Sequence, residues 1–106
     1  MNNAIYPGVT GITFTQTGTD VAQAVPAANL ISAAGAHCLG AYISVVGNDL
    51  NVAFGGAVPT QADTGPHHTL SAGSSLFISS WGSIKGMQFI NAANTLVGYL
   101  KVTPVF

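Results

Sequence analysis

Apolar and polar positions alternate along much of this chain with period two, the spacing of a half-buried β-strand. In residues 9–16, Ile12 and Phe14 fall on one side and Thr13 and Thr15 on the other, which predicts a first strand with β-branched residues on its wet face. Thr17-Gly18-Thr19-Asp20 reads as a turn, and residues 21–25 as a second strand stopped by Pro26, which has no N–H for a ladder. The strongest alternation lies in residues 38–46, where Leu39, Ala41, Ile43 and Val45 oppose Gly40, Tyr42, Ser44 and Val46. Gly47-Asn48-Asp49 follows, residue types that tolerate positive φ and predict a tight hairpin. Leu50, Val52 and Phe54 then return along the apolar face, with Asn51 and Ala53 opposite. Apolar runs at residues 76–78, 87–90 and 96–102 predict three more strands, separated by Trp81-Gly82-Ser83 and Ala92-Ala93-Asn94 as turns. Pro104 is expected to end the last of them.

Short strands punctuated by Gly, Ser and Asn at such intervals predict an all-β fold. The expected architecture is an antiparallel β-sandwich, jelly-roll-like, of about seven or eight short strands joined as a run of hairpins. The Ala-rich residues 27–36 leave two readings open, a short helix over 27–34 or a brief strand at 29–32 with a loop at 33–36; Gly35 and Pro26 favour the second. Residues 1–8 read as an N-terminal arm ahead of a single domain, residues 9–106, with Ile5 and Tyr6 its bulky groups and Pro7-Gly8 a breaker. Residues 55–69 form a long loop without apolar periodicity, and such loops usually contact something. Val105 and Phe106 make an apolar tail that needs cover.

Charge changes the picture most. Charged residues are 5% of the chain, namely Asp20, Asp49, Asp63, Lys85 and Lys101, against about 25% in an ordinary domain. So neutral a surface packs against another protein without desolvating many charges, and it points to a homo-oligomer, a dimer or trimer, or to a larger assembly. With a net charge of −1 and two lysines far apart, neither nucleic acid nor anionic membrane is an expected partner. No apolar run is long enough to predict a membrane span. The single Cys38 cannot form an intrachain disulfide, and the first residues lack the features of a signal peptide. Synthesis in a reducing cytoplasm is the expectation.

Candidate chemistry is sparse. His67, His68, His37, Cys38 and Asp63 are metal-ligand types, but adjacent histidines on an extended segment point apart. No metal is assigned; the alternative is an ion shared between subunits. Cys38 and His37 face apart as nucleophile and base for the same reason. Asp20, Asp49 and Asp63 fall in predicted turns, where aspartate bonds its own local backbone. There is no G-x-S-x-G elbow and no phosphate-cradling glycine motif. No catalytic residue or cofactor is expected, and so no enzyme. Trp81, with Tyr6, Tyr42 and Tyr99, has two readings: a core anchor at a sheet corner, or a sugar-stacking platform.

From Cys38 to Val102 the chain carries a recognisable series. It comprises the alternating Tyr42-Ile43-Ser44-Val45, the Gly47-Asn48 turn, the strand end Val52-Ala53-Phe54-Gly55, a Pro/Gly loop, and L-x-A-G-x-S-L-x-I-x-x-W-G-x-I from Leu70 to Ile84. Over about two thirds of its length the chain resembles small virion structural proteins of tailed bacteriophages and prophages. The resemblance implies a capsid decoration or cement protein, a β-sandwich oligomer that binds the major capsid protein on the outside of the virion. It supplies no catalytic residues. The chain departs from its relatives in lacking strand arginines, which favours apolar and backbone contacts over salt bridges. The residues expected to meet partners lie at the edges: Ile5 and Tyr6, Val58, Pro59, His67 and His68 in the long loop, and Val105 and Phe106. The rival expectation is a receptor- or glycan-binding tip module of a phage head or tail fibre, using Trp81 and the long loop; a small hydrolase or metal enzyme is a third.

Overall fold

The computed structural model describes residues 10–106; the predicted arm, with Ile5 and Tyr6, lies outside them. The strands are β1 (Phe14–Thr17), β2 (Gln23–Ala24), β3 (Gly40–Val46), β4 (Leu50–Ala53), β5 (His68–Leu70), β6 (Ser75–Ile78), β7 (Gln88–Asn91) and β8 (Tyr99–Val105). They form two antiparallel four-stranded sheets, ordered β1-β8-β3-β6 and β2-β7-β4-β5. Pairing runs β1 with β8, β2 with β7, β3 with β6 and β4 with β5, so the chain is one long hairpin rolled up on itself. That is jelly-roll wiring.

The core fills the space between the sheets. Ala41, Ile43 and Val45 of β3 and Leu100 and Val102 of β8 face Leu50 and Val52 of β4 and Phe89 of β7. Each large side chain buried there contributes roughly 1.5–3 kcal/mol.

Several local expectations are corrected. The expected run of hairpins is absent among the described residues except at β4–β5, the one pair of consecutive strands that is also hydrogen-bonded. Gly47-Asn48-Asp49 does not close a hairpin, because β3 and β4 belong to opposite sheets; the turn carries the chain across the core. β4 is therefore buried on both sides, and Asn51 and Ala53 are inside with Leu50 and Val52. Residues 27–36 form neither predicted element: Ala27–Leu30 is a single 3-10 turn that buries Leu30, and Ile31 then bridges His37. Trp81-Gly82-Ser83 is not a turn but the start of a short helix, α1 (Trp81–Lys85), capped by the Ser80 hydroxyl accepting from the Ser83 N–H at 3.2 Å.

At the first strand the ladder begins only at Phe14, which leaves Ile12 88% exposed rather than paired with Phe14 on the core side. Leu39 also turns outward, one residue before β3 begins. Pro104 does not end β8. Its carbonyl accepts from the Gly11 N–H at 2.7 Å, so its nitrogen faces the same side, where the β1 ladder is already interrupted and no N–H is missed.

Candidate functional site

The outer face of the β1-β8-β3-β6 sheet is built by register. Thr103, Tyr42 and Phe77 lie side by side across β8, β3 and β6, and the Thr13 hydroxyl bonds to that of Thr103 at 2.5 Å. The next row is Thr15, Lys101, Ser44 and Ser75, and the last is Thr17, Tyr99 and Val46. Threonine and serine keep this surface polar but uncharged, and Lys101 is its one charge. Tyr42 is 52% exposed, Val46 44%, Phe77 42% and Tyr99 40%. The rings of Tyr42 and Phe77 sit 4.7 Å apart. Alternation places Thr13 and Thr15 on the wet face of their strand and Tyr42 opposite the apolar face of its own, but does not bring them together. The face draws on strands as far apart as β1 and β8, and no local signal carries that register.

The edge candidates are dispersed. Val58 is exposed at 55%, whereas Pro59 beside it is fully buried. Asn51 holds this part of the loop: its amide donates to the Thr60 carbonyl at 2.7 Å, and its oxygen accepts from the Thr69 hydroxyl at 2.7 Å. His67 is half-buried and takes the Thr60 N–H on Nδ1 at 3.3 Å, while His68 is exposed on β5 near Phe54. Among the described residues no three His, Cys, Asp or Glu side chains are grouped as metal ligands would be. Val105 is buried in the chain's own sandwich, and Phe106 packs against the core. Ile12, Phe14, Ile31, Pro104 and Phe106 line an open apolar groove of about 660 Å³ at the β1 edge.

Trp81 packs partly against the core, and His37 stacks on its ring. A sugar seeking that face would have to displace the imidazole. Cys38 is fully buried, and that burial pushes its thiol up, away from the reactive thiolate.

Two of the aspartates, Asp20 and Asp49, bond groups distant in sequence rather than those of their own turns. Asp20 accepts from the Asn91 amide at 3.2 Å, from the Thr95 N–H at 3.2 Å and from the Gln61 amide at 3.1 Å, tying three loops together. The Asn91 bond foremost, against some desolvation and with help from Thr95 and Gln61, holds the Asp20 carboxyl below its ordinary range. The same clamp secures Thr95, a β-branched residue in the left-handed region at φ 64°. Asp49 accepts from the Ala72 N–H at 2.9 Å, again a distant partner.

Fold and surface together define a small jelly-roll β-sandwich with a sparsely charged outer sheet. Comparison with known proteins adds no family: no family model, no curated protein and no solved structure matches the chain.

Proposed function

We propose that the chain is a virion structural protein of a tailed phage or prophage, of the capsid decoration type, which binds the major capsid protein as an oligomer and reinforces the outer shell. The observation that carries this reading is the outer face of the β1-β8-β3-β6 sheet, whose one charge is Lys101. Jelly rolls also serve lectins and cupins, so the wiring alone does not choose the function; the support comes from the face. Its rows span about 14 Å in each direction, a patch of a few hundred Å². A stand-alone interface needs about 800 Å² per partner. Adhesion through such a patch is weak for one copy and strong only when linked copies engage a repeating surface together. A lattice of identical coat subunits is such a surface.

The test is occupancy on purified particles of the phage or prophage that encodes the chain. Val46→Glu and Tyr99→Glu each place a carboxylate on the face, and occupancy is expected to fall at least tenfold while the fold is kept. Full occupancy by both variants, or absence of the wild-type chain from particles, overturns the reading. A glycan array separates the rival: specific sugar binding that is lost on Trp81→Ala would favour a receptor-binding module instead.

A further inference from the structure

Each sheet ends in two strands whose outer backbone groups lack a ladder partner, and these are β1 and β6 in one sheet and β2 and β5 in the other. Proteins blunt such edges with charge, proline, shortness or a covering segment. β2 is two residues long and β5 three. β1 is approached by the following turn, where the Gln23 amide donates to the Thr17 carbonyl at 3.1 Å. β6, Ser75-Leu76-Phe77-Ile78, has neither charge nor proline. Among the described residues, no hydrogen bond reaches the backbone of Ser75 or Phe77 from outside the sheet.

A bulge just before β6 fixes which groups face outward. Val45 donates to the Ser74 carbonyl at 3.0 Å and accepts from the Gly73 N–H at 2.7 Å, with Gly73 at φ 91°. Val45 and Ser74 are thus a hydrogen-bonded pair, and bonded and non-bonded pairs alternate along an antiparallel ladder. Leu76 and Ile78 therefore turn their backbones to β3, while Ser75 and Phe77 present N–H and C=O to the open edge.

We propose that β6 is the self-association edge: a second copy of the chain pairs its own β6 antiparallel to this one, about a two-fold axis at Phe77, joining the two four-stranded sheets into one. The strand is complementary to itself in this register. Phe77 meets its own copy with both backbone bonds exchanged, and Leu76 meets Ile78 on the core side, where both are only half-buried now. On the outer face the Tyr42–Phe77 pair meets its twin, giving four aromatic rings in a row. A slip of one residue presents backbone groups already committed to β3. A slip of two sets Phe77 against serine. Because β6 carries no charge, no like charges meet across the axis. The pairing gives a geometry to the oligomer named in the proposed function and rests on that reading only there; capsid attachment can fail without it.

Light scattering across a concentration series tests it. The wild-type chain is expected as a dimer, and Phe77→Lys as a monomer whose association is weakened at least a hundredfold. Val21→Lys, also at an exposed position but in the turn after β1 at the opposite edge of the sheet, is expected to stay dimeric. Should Phe77→Lys fail to fold, Phe77→Cys decides. Its Cα lies about 5.5 Å from its twin in a bonded pair, within disulfide range, so mild oxidation is expected to yield a covalent dimer. Cys38 is buried and stays out of the reaction. A monomeric wild-type chain, an oligomer unchanged by Phe77→Lys, or Phe77→Cys that does not cross-link overturns the proposal. Loss of particle binding by a dimer that still cross-links at position 77 counts against the proposed function and supports the pairing.

Discussion

The imidazole of His37 lies flat on the indole of Trp81, with ring centroids 4.4 Å apart and planes 9° from parallel. The stack ties the segment before β3 to the first turn of α1. Removing the imidazole by His37→Ala is expected to cost about 0.5–1.5 kcal/mol and to open the indole to water. Trp81 is the sole tryptophan, so its emission reports directly: a red shift with a modestly lowered Tm is the expected result, and unchanged emission would refute the stack.

The Asp20 clamp makes stability depend on acid. A carboxyl held below its ordinary range binds its proton more weakly in the folded chain than in the unfolded one. Its contribution is therefore complete above the unfolded pKa of about 4 and is lost as pH falls through the lower folded value. Asp20→Ala is expected to lower Tm at neutral pH, and the gap to wild type should close as the solution is acidified. Thermal melts from neutral pH to about pH 2 check both parts; a gap that stays constant argues against the clamp.

Asn51 is the buried fastening of the long loop. Asn51→Ala removes the bonds to the Thr60 carbonyl and the Thr69 hydroxyl together, and an intramolecular hydrogen bond contributes about 0.5–1.5 kcal/mol. Faster amide exchange is expected across residues 58–69, with the β3–β8 ladder still protected. Equal acceleration throughout would mean that the loop is not what Asn51 secures.

Gly18 leaves no room for a side chain. A Cβ there would collide with the Asn91 side chain and the Gly98 carbonyl, and would lie 2.9 Å from Leu50. Gly18→Ala is expected to destabilise by about 1–3 kcal/mol, read as a lower urea midpoint at unchanged slope.

What the sequence made legible follows the range of each signal. Tyr42, Ile43, Ser44 and Val45 announce their faces by alternation, and the structure buries Ile43 and Val45 and exposes Tyr42. Gly47-Asn48-Asp49 announces a change of direction, but turn chemistry does not say whether the next strand pairs with the last or crosses the core to the other sheet. Pro104 is tolerated within β8 because of Gly11, its neighbour in the fold but 93 positions away in the sequence. Asp20 and Asn91 stand 71 positions apart, and no spacing rule joins them. The start of α1 carries a local sign, Ser80 before Trp81, three residues ahead of the N–H it caps.

The rolled hairpin also dictates the order in which the chain can become a protein. β8 is the partner of both β1 and β3, and β7 of both β2 and β4, so one of the two inner strands of each sheet leaves the ribosome after all the strands it pairs with. Until then the earlier strands wait with their apolar faces open, and contacts this distant in sequence form slowly. A nascent chain with so few charges has little to repel its neighbours in that interval. The hazard of aggregation therefore belongs to synthesis rather than to the finished fold, and slower production at lower temperature is the remedy that the topology recommends.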